Sequence, residues 1–411
     1  MATTDVPETV ATVFRIESAR IIATTARIVR DLDIAEEIAQ DALVAALEQW
    51  PESGVPDKPG AWLVTTARRR AIDLVRRKET YARKLAEVGR TLEDIAPPEI
   101  AEADEIDDDL LRLIFTACHP VLSQEARIAL TLRLLGGLTT DEIARAYLTS
   151  ESTVAQRIVR AKRKLARSGV EFEVPYDEDR AARLSSVLEV TYLIFNEGYS
   201  ATAGDDLVRP ALCEDALRLA RILQGLMPDE PDVHGLAALL EFQASRTAAR
   251  TGPDGEPVLL ADQDRTRWNQ SFIRRGLAAM RLAGDGPYAV QAAIAGCHAA
   301  VPRYADTDWE TIARLYARLA VLTPSPIVEL NRAVAVAEVN GPAAGLAILE
   351  PLESEPTLAS YHLLPSVRGD LLARLGRDPE ARAEFERAAS LTRNVREQQL
   401  LLGRAAQSAV D

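Results

Sequence analysis

Aromatic residues make up only 5% of this 411-residue chain, which has four histidines, three cysteines and three methionines. Each scarcity excludes something. Runs of β-branched and aromatic residues are few, which argues against a β-sandwich or barrel. Cys118, Cys213 and Cys297 are odd in number and widely spaced, a pattern of reduced, packed thiols rather than a disulfide framework. His119, His234, His298 and His362 are scattered, and Cys118-His119 has no second pair at ligand spacing. No glycine-rich phosphate loop and no nucleophile with an ordered base appears, so the expectation is no catalytic residue, no metal site, no cofactor and no enzyme activity. No apolar run reaches the roughly 20 residues of a membrane span. The opening MATTDVPETV lacks a basic segment followed by an apolar one, so a cytoplasmic protein without membrane contact is expected.

What the chain does have is apolar residues at 47%, rich in Ala and Leu, and a length that suggests several domains. The expected fold class is all-α. The net charge of −14 is unevenly spread. Residues 1–169 carry 24 Lys and Arg against 27 Asp and Glu, and nine of those acids lie between Thr91 and Asp109. Residues 170–411 carry 24 against 35. A basic framework is interrupted by an acidic strap and followed by an acidic half.

Helical periodicity begins at Val13–Val29 and continues from Ile34 to Trp50, with Pro51 as the expected stop. Ile38, Ala42, Leu43, Ala46 and Leu47 form the apolar stripe of that second helix, and Asp33, Glu36, Glu37, Gln40 and Asp41 gather toward its start, where the helix dipole favours carboxylates. A Gly/Pro loop leads to a third helix, PGAWLVTTARRRAIDLVRR, with Trp62, Leu63, Ala67 and Ala71 apolar and Trp62 read as core. Arg68, Arg69, Arg70, Arg76, Arg77 and Lys78 crowd it. So many cations in a few turns repel one another, and a polyanion partner relieves that repulsion.

The strap from Thr91 to Asp109 reads as an extended, solvated linker with nothing to pack. A helix is expected to resume at Leu110. The run Leu138–Leu165, LTTDEIARAYLTSESTVAQRIVRAKRKL, then reads as two short helices and a turn. Thr139 and Glu142 have capping-box spacing, with Ile143, Ala144, Tyr147 and Leu148 on the first apolar face. Thr149, Ser150 and Ser152 supply turn and cap chemistry, and Val154, Ile158, Val159 and Leu165 mark the second stripe. Gln156, Arg157, Arg160, Arg163, Lys164 and Arg167 occupy the opposite face. This is the layout of a helix-turn-helix, although alone it fits an ordinary helical hairpin with a solvated basic face as well.

Together, the segments AEEIAQDALVAALEQW, WLVTTARRRAIDLVRR and LTTDEIARAYLTSESTVAQRIVRAKRKL make residues 10–168 resemble a bacterial extracytoplasmic-function (ECF) sigma factor of the sigma-70 family. The resemblance implies a subunit that binds RNA polymerase core, through its clamp helices and flap, and directs promoter-specific initiation. It implies region 2 at 1–85, a linker at 86–109 and region 4 at 110–169. Asp33, Glu36, Glu37, Gln40, Asp41 and Leu47 would then hold the polymerase. Arg68, Arg69, Arg70, Arg76 and Arg77 would meet the minus-10 element, and Ser152, Thr153, Gln156, Arg157, Arg160 and Arg163 the minus-35 element. Where many relatives place Asn to capture a flipped base, this chain has Arg69, which would stack on a base or hold a phosphate instead. The linker's carboxylates would mimic nucleic-acid phosphates in a polymerase channel. The alternative is a scaffold or DNA-binding regulator that has a helix-turn-helix but no polymerase contact.

Beyond residue 169 the pattern stays helical, at Ala181–Asn196, Pro210–Leu226 and Pro231–Arg250, within a middle domain set at 170–300. Asp262, Asp264, Arg265 and Arg267 follow, close in sequence to Arg246 and Arg250, and read as structural ion pairs between helices. Helices are expected at Ile312–Leu322, Ile327–Val339, Ala343–Leu352, Tyr361–Leu375 and Pro379–Leu391. Gly369, Leu372, Ala381, Phe385 and Ala388 stand at the spacings of a tetratricopeptide repeat, which residues 301–411 resemble. The resemblance implies a groove for a protein or peptide partner, and a role in adjusting the activity of the N-terminal part.

Overall fold

The computed structural model describes residues 6–86 and 103–408. Their secondary structure is eighteen α-helices, short 3-10 turns and one two-residue strand pair, an all-α fold. The chain divides into two compact units, Met1–Val190 and Thr191–Asp411.

In the first unit α1 (Val6–Val29) packs against α2 (Leu32–Ser53), α3 (Pro59–Ala86) and α4 (Ala103–Ala117). Small side chains set the spacing: Ala19, Ala23 and Ala26 of α1, Ala35, Ala39, Ala42 and Ala46 of α2, and Ala67 and Ala71 of α3 are all buried. Trp50 fills the end of this core at 1% exposure, with Trp62 edge-on to it at 5.4 Å and itself half-buried. Pro51 does not stop α2, which runs one turn further to Ser53. Pro51 gives up the bond its N–H would make to the Leu47 carbonyl and crowds that group, a cost that α2 bears in its last turn, where little further helix depends on it. The stop is Gly54, at φ +80°, a conformation open to glycine at little cost.

α4 starts at Ala103, so the end of the acidic strap is helical, and Asp109 is buried beside Arg27 at 3.0 Å and Arg112 at 2.7 Å. The expectation that nothing in the strap packs fails there, because two arginines offset the carboxylate's desolvation. Residues 87–102, the remainder of the expected linker, lie outside the described residues. After α5 (Gln124–Leu134) come α6 (Thr140–Ala146) and α7 (Glu151–Arg167). α6 ends before Tyr147 and Leu148; Leu148 turns the chain at φ +48° and is exposed, so neither residue continues the helix. α8 (Asp177–Tyr199) carries the chain into the second unit.

The second unit continues with α9 (Pro210–Leu226), α10 (Pro231–Ser245), α11 (Gln270–Met280), α12 (Pro287–Ala299), α13 (Trp309–Leu322), α14 (Pro326–Asn340), α15 (Pro342–Leu349), α16 (Leu363–Ala373), α17 (Asp378–Leu391) and α18 (Val395–Gln407). Prolines at first-turn positions start α9, α10, α12, α14, α15 and α17, where a missing N–H costs nothing. α12 packs mainly on α10, and from α13 onward each helix packs mainly on its sequence neighbours, the logic of a repeat stack. Gly369 of α16 allows close approach of the buried Phe385 ring of α17; a Cβ there would lie 2.9 Å from two ring carbons. Leu372, Ala381 and Ala388 join Phe385 in one core cluster, as the repeat spacing requires. Two expected helices are shorter: 3-10 turns replace the ends of the Pro231–Arg250 and Ala343–Leu352 segments. The strand pair was not foreseen. Ala203–Gly204 (β1) pairs in parallel with Arg393–Asn394 (β2), tying the beginning of this unit to its end.

Candidate nucleic-acid and protein interface

α3 turns Leu63, Ala67 and Ala71 inward, and helical geometry then sends Arg69, Arg76 and Arg77 outward, where all three are exposed. Arg68 is half-buried, and Arg70 reaches Asp41 of α2 at 3.2 Å. One pair thus joins two of the expected sets. α2 is capped by Asp31, whose side chain accepts from the Asp33 and Ile34 amides. Its outer face presents Glu37, Gln40, Asp41 and Leu47, with Val44 among them. Leu47 leaves the apolar stripe on which it was placed and is 40% exposed.

The helix-turn-helix forms as its caps dictate. Thr139 accepts from the Glu142 amide at 3.1 Å while the Glu142 carboxylate accepts from the Thr139 amide at 2.8 Å, completing the capping box. That backbone hydrogen bond, reinforced by the Thr139 hydroxyl, holds Glu142 below its ordinary carboxylate pKa despite partial burial. Ser150 caps α7 by accepting from the Thr153 amide at 3.2 Å. Val154, Ile158, Ala161 and Leu165 face the core, whereas Val159 is 41% exposed and does not. Ser152, Thr153, Gln156, Arg160 and Arg163 are exposed and Arg157 is half-buried, so the expected minus-35 set shares the outer surface. Arg160, Arg163, Lys164 and Arg167 line one cationic cleft.

Charged contacts made by four basic side chains link the two helical modules of this unit. Lys162 of α7, almost wholly buried, donates to Asp33 Oδ1 at 2.7 Å and to Glu36. Arg133 of α5 donates to the other Glu36 oxygen at 2.8 Å. Arg15 lies 3.4 Å from Glu142, and Arg27 pairs with Asp109 as described above. Glu36 is therefore not on the open face of α2 but is 9% exposed and held by two cations. Lys162 and Arg133 escaped the sequence reading because their partners stand 126 and 97 residues away, beyond any helical period. Among the described residues no group of His, Cys, Asp or Glu could hold a metal, and no helix is long and apolar enough to cross a membrane. Cys118 and Cys213 are buried, and burial pushes their thiols up to about 11 and about 12.

Family models match three stretches of the chain. Sigma-70 region 2 matches residues 14–81 and sigma-70 region 4 residues 112–165, and a family of unknown function, DUF6596, matches residues 183–284. An uncharacterized protein of Rhizobium meliloti (strain 1021), R00370, is 46% identical over 380 residues, covering 90% of this chain and 89% of that protein. The ECF RNA polymerase sigma factor SigK of Mycobacterium ulcerans (strain Agy99) is 31% identical over 150 residues, 36% of this chain and 78% of that protein. Among solved structures, yeast Tom70 aligns with 98% of this chain and 85% of its own at 11% identity and a TM-score of 0.36. With both sigma regions in order on the first unit and the SigK likeness spanning them, the chain belongs to the ECF sigma factors of the sigma-70 family and carries a C-terminal helical extension.

Proposed function

We propose that this sigma factor acts in the cytoplasm, binding RNA polymerase core through the open face of α2 and directing initiation at promoters with α3 on the minus-10 element and α7 on the minus-35 element. The observation that carries the reading is the placement of two outward basic faces, Arg69, Arg76 and Arg77 on α3 and Arg160 and Arg163 on α7, on separate helices flanking the acidic helix α2. Residues 1–85 and 110–169 serve as the two recognition modules, and the acidic linker between them enters the polymerase. The contact of Lys162 with Asp33 and Glu36 covers the start of α2 beside that open face and holds the free protein closed, and it opens when polymerase extends its grip to the start of the helix. The extension, through a middle domain and a tetratricopeptide-like end, modulates this activity and offers its helices to a protein or peptide partner.

Run-off transcription tests the reading. Purified protein added to polymerase core is expected to yield defined transcripts from its promoters and none without core. Binding to DNA with no retention of core would instead establish a regulator that works without polymerase contact.

A further inference from the structure

The second unit gathers three arginines where, among the described residues, no carboxylate comes within ion-pair distance, although Asp306 acts on Arg265 and Arg250 on Glu397 from farther away. Arg246 caps the end of α10, Arg250 follows one turn later, and Arg265 sits in the 3-10 turn before α11. Trp268, 3% exposed, is a wall that Arg246 and Arg265 share: the Arg246 guanidinium is 5.5 Å from its ring centroid and that of Arg265 is 5.1 Å away. Arg265 is consumed by neutral acceptors, the carbonyls of His298 at 2.7 Å and Val301 at 3.0 Å and the Thr307 hydroxyl at 3.3 Å. Arg250 lies 3.6 Å from the Tyr199 ring centroid and donates to the Tyr199 carbonyl. Arg246 donates through Nε to Gln263 Oε1 at 3.1 Å, and Gln263, itself buried, is fixed by donating to the Val258 carbonyl at 3.1 Å. Among the described residues the terminal nitrogens of Arg246 meet no hydrogen-bond acceptor.

The expected ion pairs do not form. Among the described residues none of these three arginines pairs with a carboxylate, although the same unit pairs Arg209 with Glu197, Arg221 with Glu241 and Arg404 with Asp370. Asp264, the nearest acid in sequence, is exposed and spends its carboxylate on the Thr266 amide and hydroxyl. The neighbouring imidazole adds no compensation. Burial first, then Arg246 and Arg265, pushes His298 down to about 3, and its Nδ1 is buried without a hydrogen-bond partner. Burial likewise lowers Arg246, and Arg250 and Arg265 lower it further, against the opposing effect of Tyr199. Like charges around one apolar wall repel strongly because the local dielectric is low, and an oxyanion received by the free guanidinium fork relieves that repulsion.

We propose that Arg246, flanked by Arg250 and walled by Trp268, binds the carboxylate or phosphoryl group of a small-molecule ligand. The wall is nearly inaccessible and Arg246 is half-buried, so the site suits a small oxyanion rather than an extended polyanion. The inference does not depend on polymerase or promoter binding, and its test involves neither.

Thermal unfolding of the full chain is measured in sodium phosphate and in sodium succinate, each against sodium chloride at equal ionic strength. At least one oxyanion is expected to raise a transition by about 3 °C or more over chloride, and which one does so separates phosphoryl from carboxylate recognition. Arg246→Gln is expected to remove that rise, and Arg246→Lys to keep part of it. Without added anion, Arg246→Gln is expected to be no less stable than the natural chain, since it deletes a cation that repels its neighbours. A merely structural arginine gives the opposite result, lower stability with the oxyanion response retained. Equal behaviour of phosphate, succinate and chloride, or an undiminished rise in both Arg246 variants, overturns the proposal.

Discussion

Replacing Lys162 with Met should weaken the closed arrangement and strengthen polymerase binding together. The Lys162 side chain is 9% exposed and its ammonium touches two carboxylates, Glu36 at 11% and Asp33 at 67% side-chain exposure. Deleting one partner of a fully buried pair costs roughly 3–5 kcal/mol, and of a surface pair roughly 0–1 kcal/mol. This contact falls between. Asp33 is hydrated and contributes little, while Glu36 retains Arg133 at 2.8 Å after the substitution, so no carboxylate is abandoned. A net coupling of about 1–2 kcal/mol follows, which corresponds to a factor of about 5–30. Since that coupling is lost when α2 is handed to polymerase, Lys162→Met should bind core about 5- to 30-fold more tightly than the natural chain. Titration of labelled core measures the ratio, and amide exchange of α2 in the free variant should show faster opening. The advantage should shrink with salt, because Asp33 is exposed and screened. Unchanged or weaker binding with faster α2 exchange would refute the link between this contact and polymerase access.

Arg160→Ala should cost about 1–3 kcal/mol at a cognate minus-35 element if the residue reads a base; if it holds phosphate, the loss should be uniform across sequences and the salt slope should fall by about one, both read from holoenzyme–promoter titrations. Thr139→Ala removes the capping box and should cost about 1 kcal/mol, seen as faster amide exchange in α6. Because Glu142 titrates below its ordinary range in the folded state, its contribution should be present at neutral pH and above and be lost as pH falls through that lowered value, a dependence that Glu142→Gln should abolish in acid unfolding curves. Gly369→Ala places a Cβ 2.9 Å from the buried Phe385 ring and should cost about 1–3 kcal/mol, read by calorimetry.

Local signals in the sequence were reliable where a single residue decides a boundary. Pro210 and Pro231 start helices at the expected positions, and Thr139 and Ser150 cap as their side chains allow. Other boundaries rested on weighing two local effects, and there the reading slipped. Pro51 was given more stopping power than a last-turn proline has, and Leu148 was kept in a helix although the chain needed a left-handed residue to make its turn. The outward basic faces were visible because helical period alone predicts them. The partners of Lys162, Arg133 and Asp109 were not, since ion pairing across 80 to 130 residues leaves no periodic trace. α11 starts at Gln270, close to the Trp268 where the sequence places a helix, whereas α12 and α18 lie in stretches to which the sequence pattern assigns no helix.

Total charge proved a poor guide to both interfaces of this chain. A net −14 repels DNA at long range, but that field fades within a Debye length of roughly 8 Å at physiological salt, leaving the local surfaces of α3 and α7 to decide what is bound at contact. The same separation of scale operates in the second unit. Several of its carboxylates are spent in helix-surface pairs, such as Glu329 with Arg332 and Glu380 with Arg377, each satisfied by a neighbour three residues away. Those carboxylates cannot reach Arg246, whose surroundings are set by Trp268, Gln263 and two further arginines. Counting charges along the sequence predicted ion pairs there because it assumed that nearness in the chain means nearness in space. The side chains of Asp264 and Arg246 serve different elements, one capping a 3-10 turn and the other closing the end of α10, and that division leaves the cationic cluster open to an anion from outside the chain.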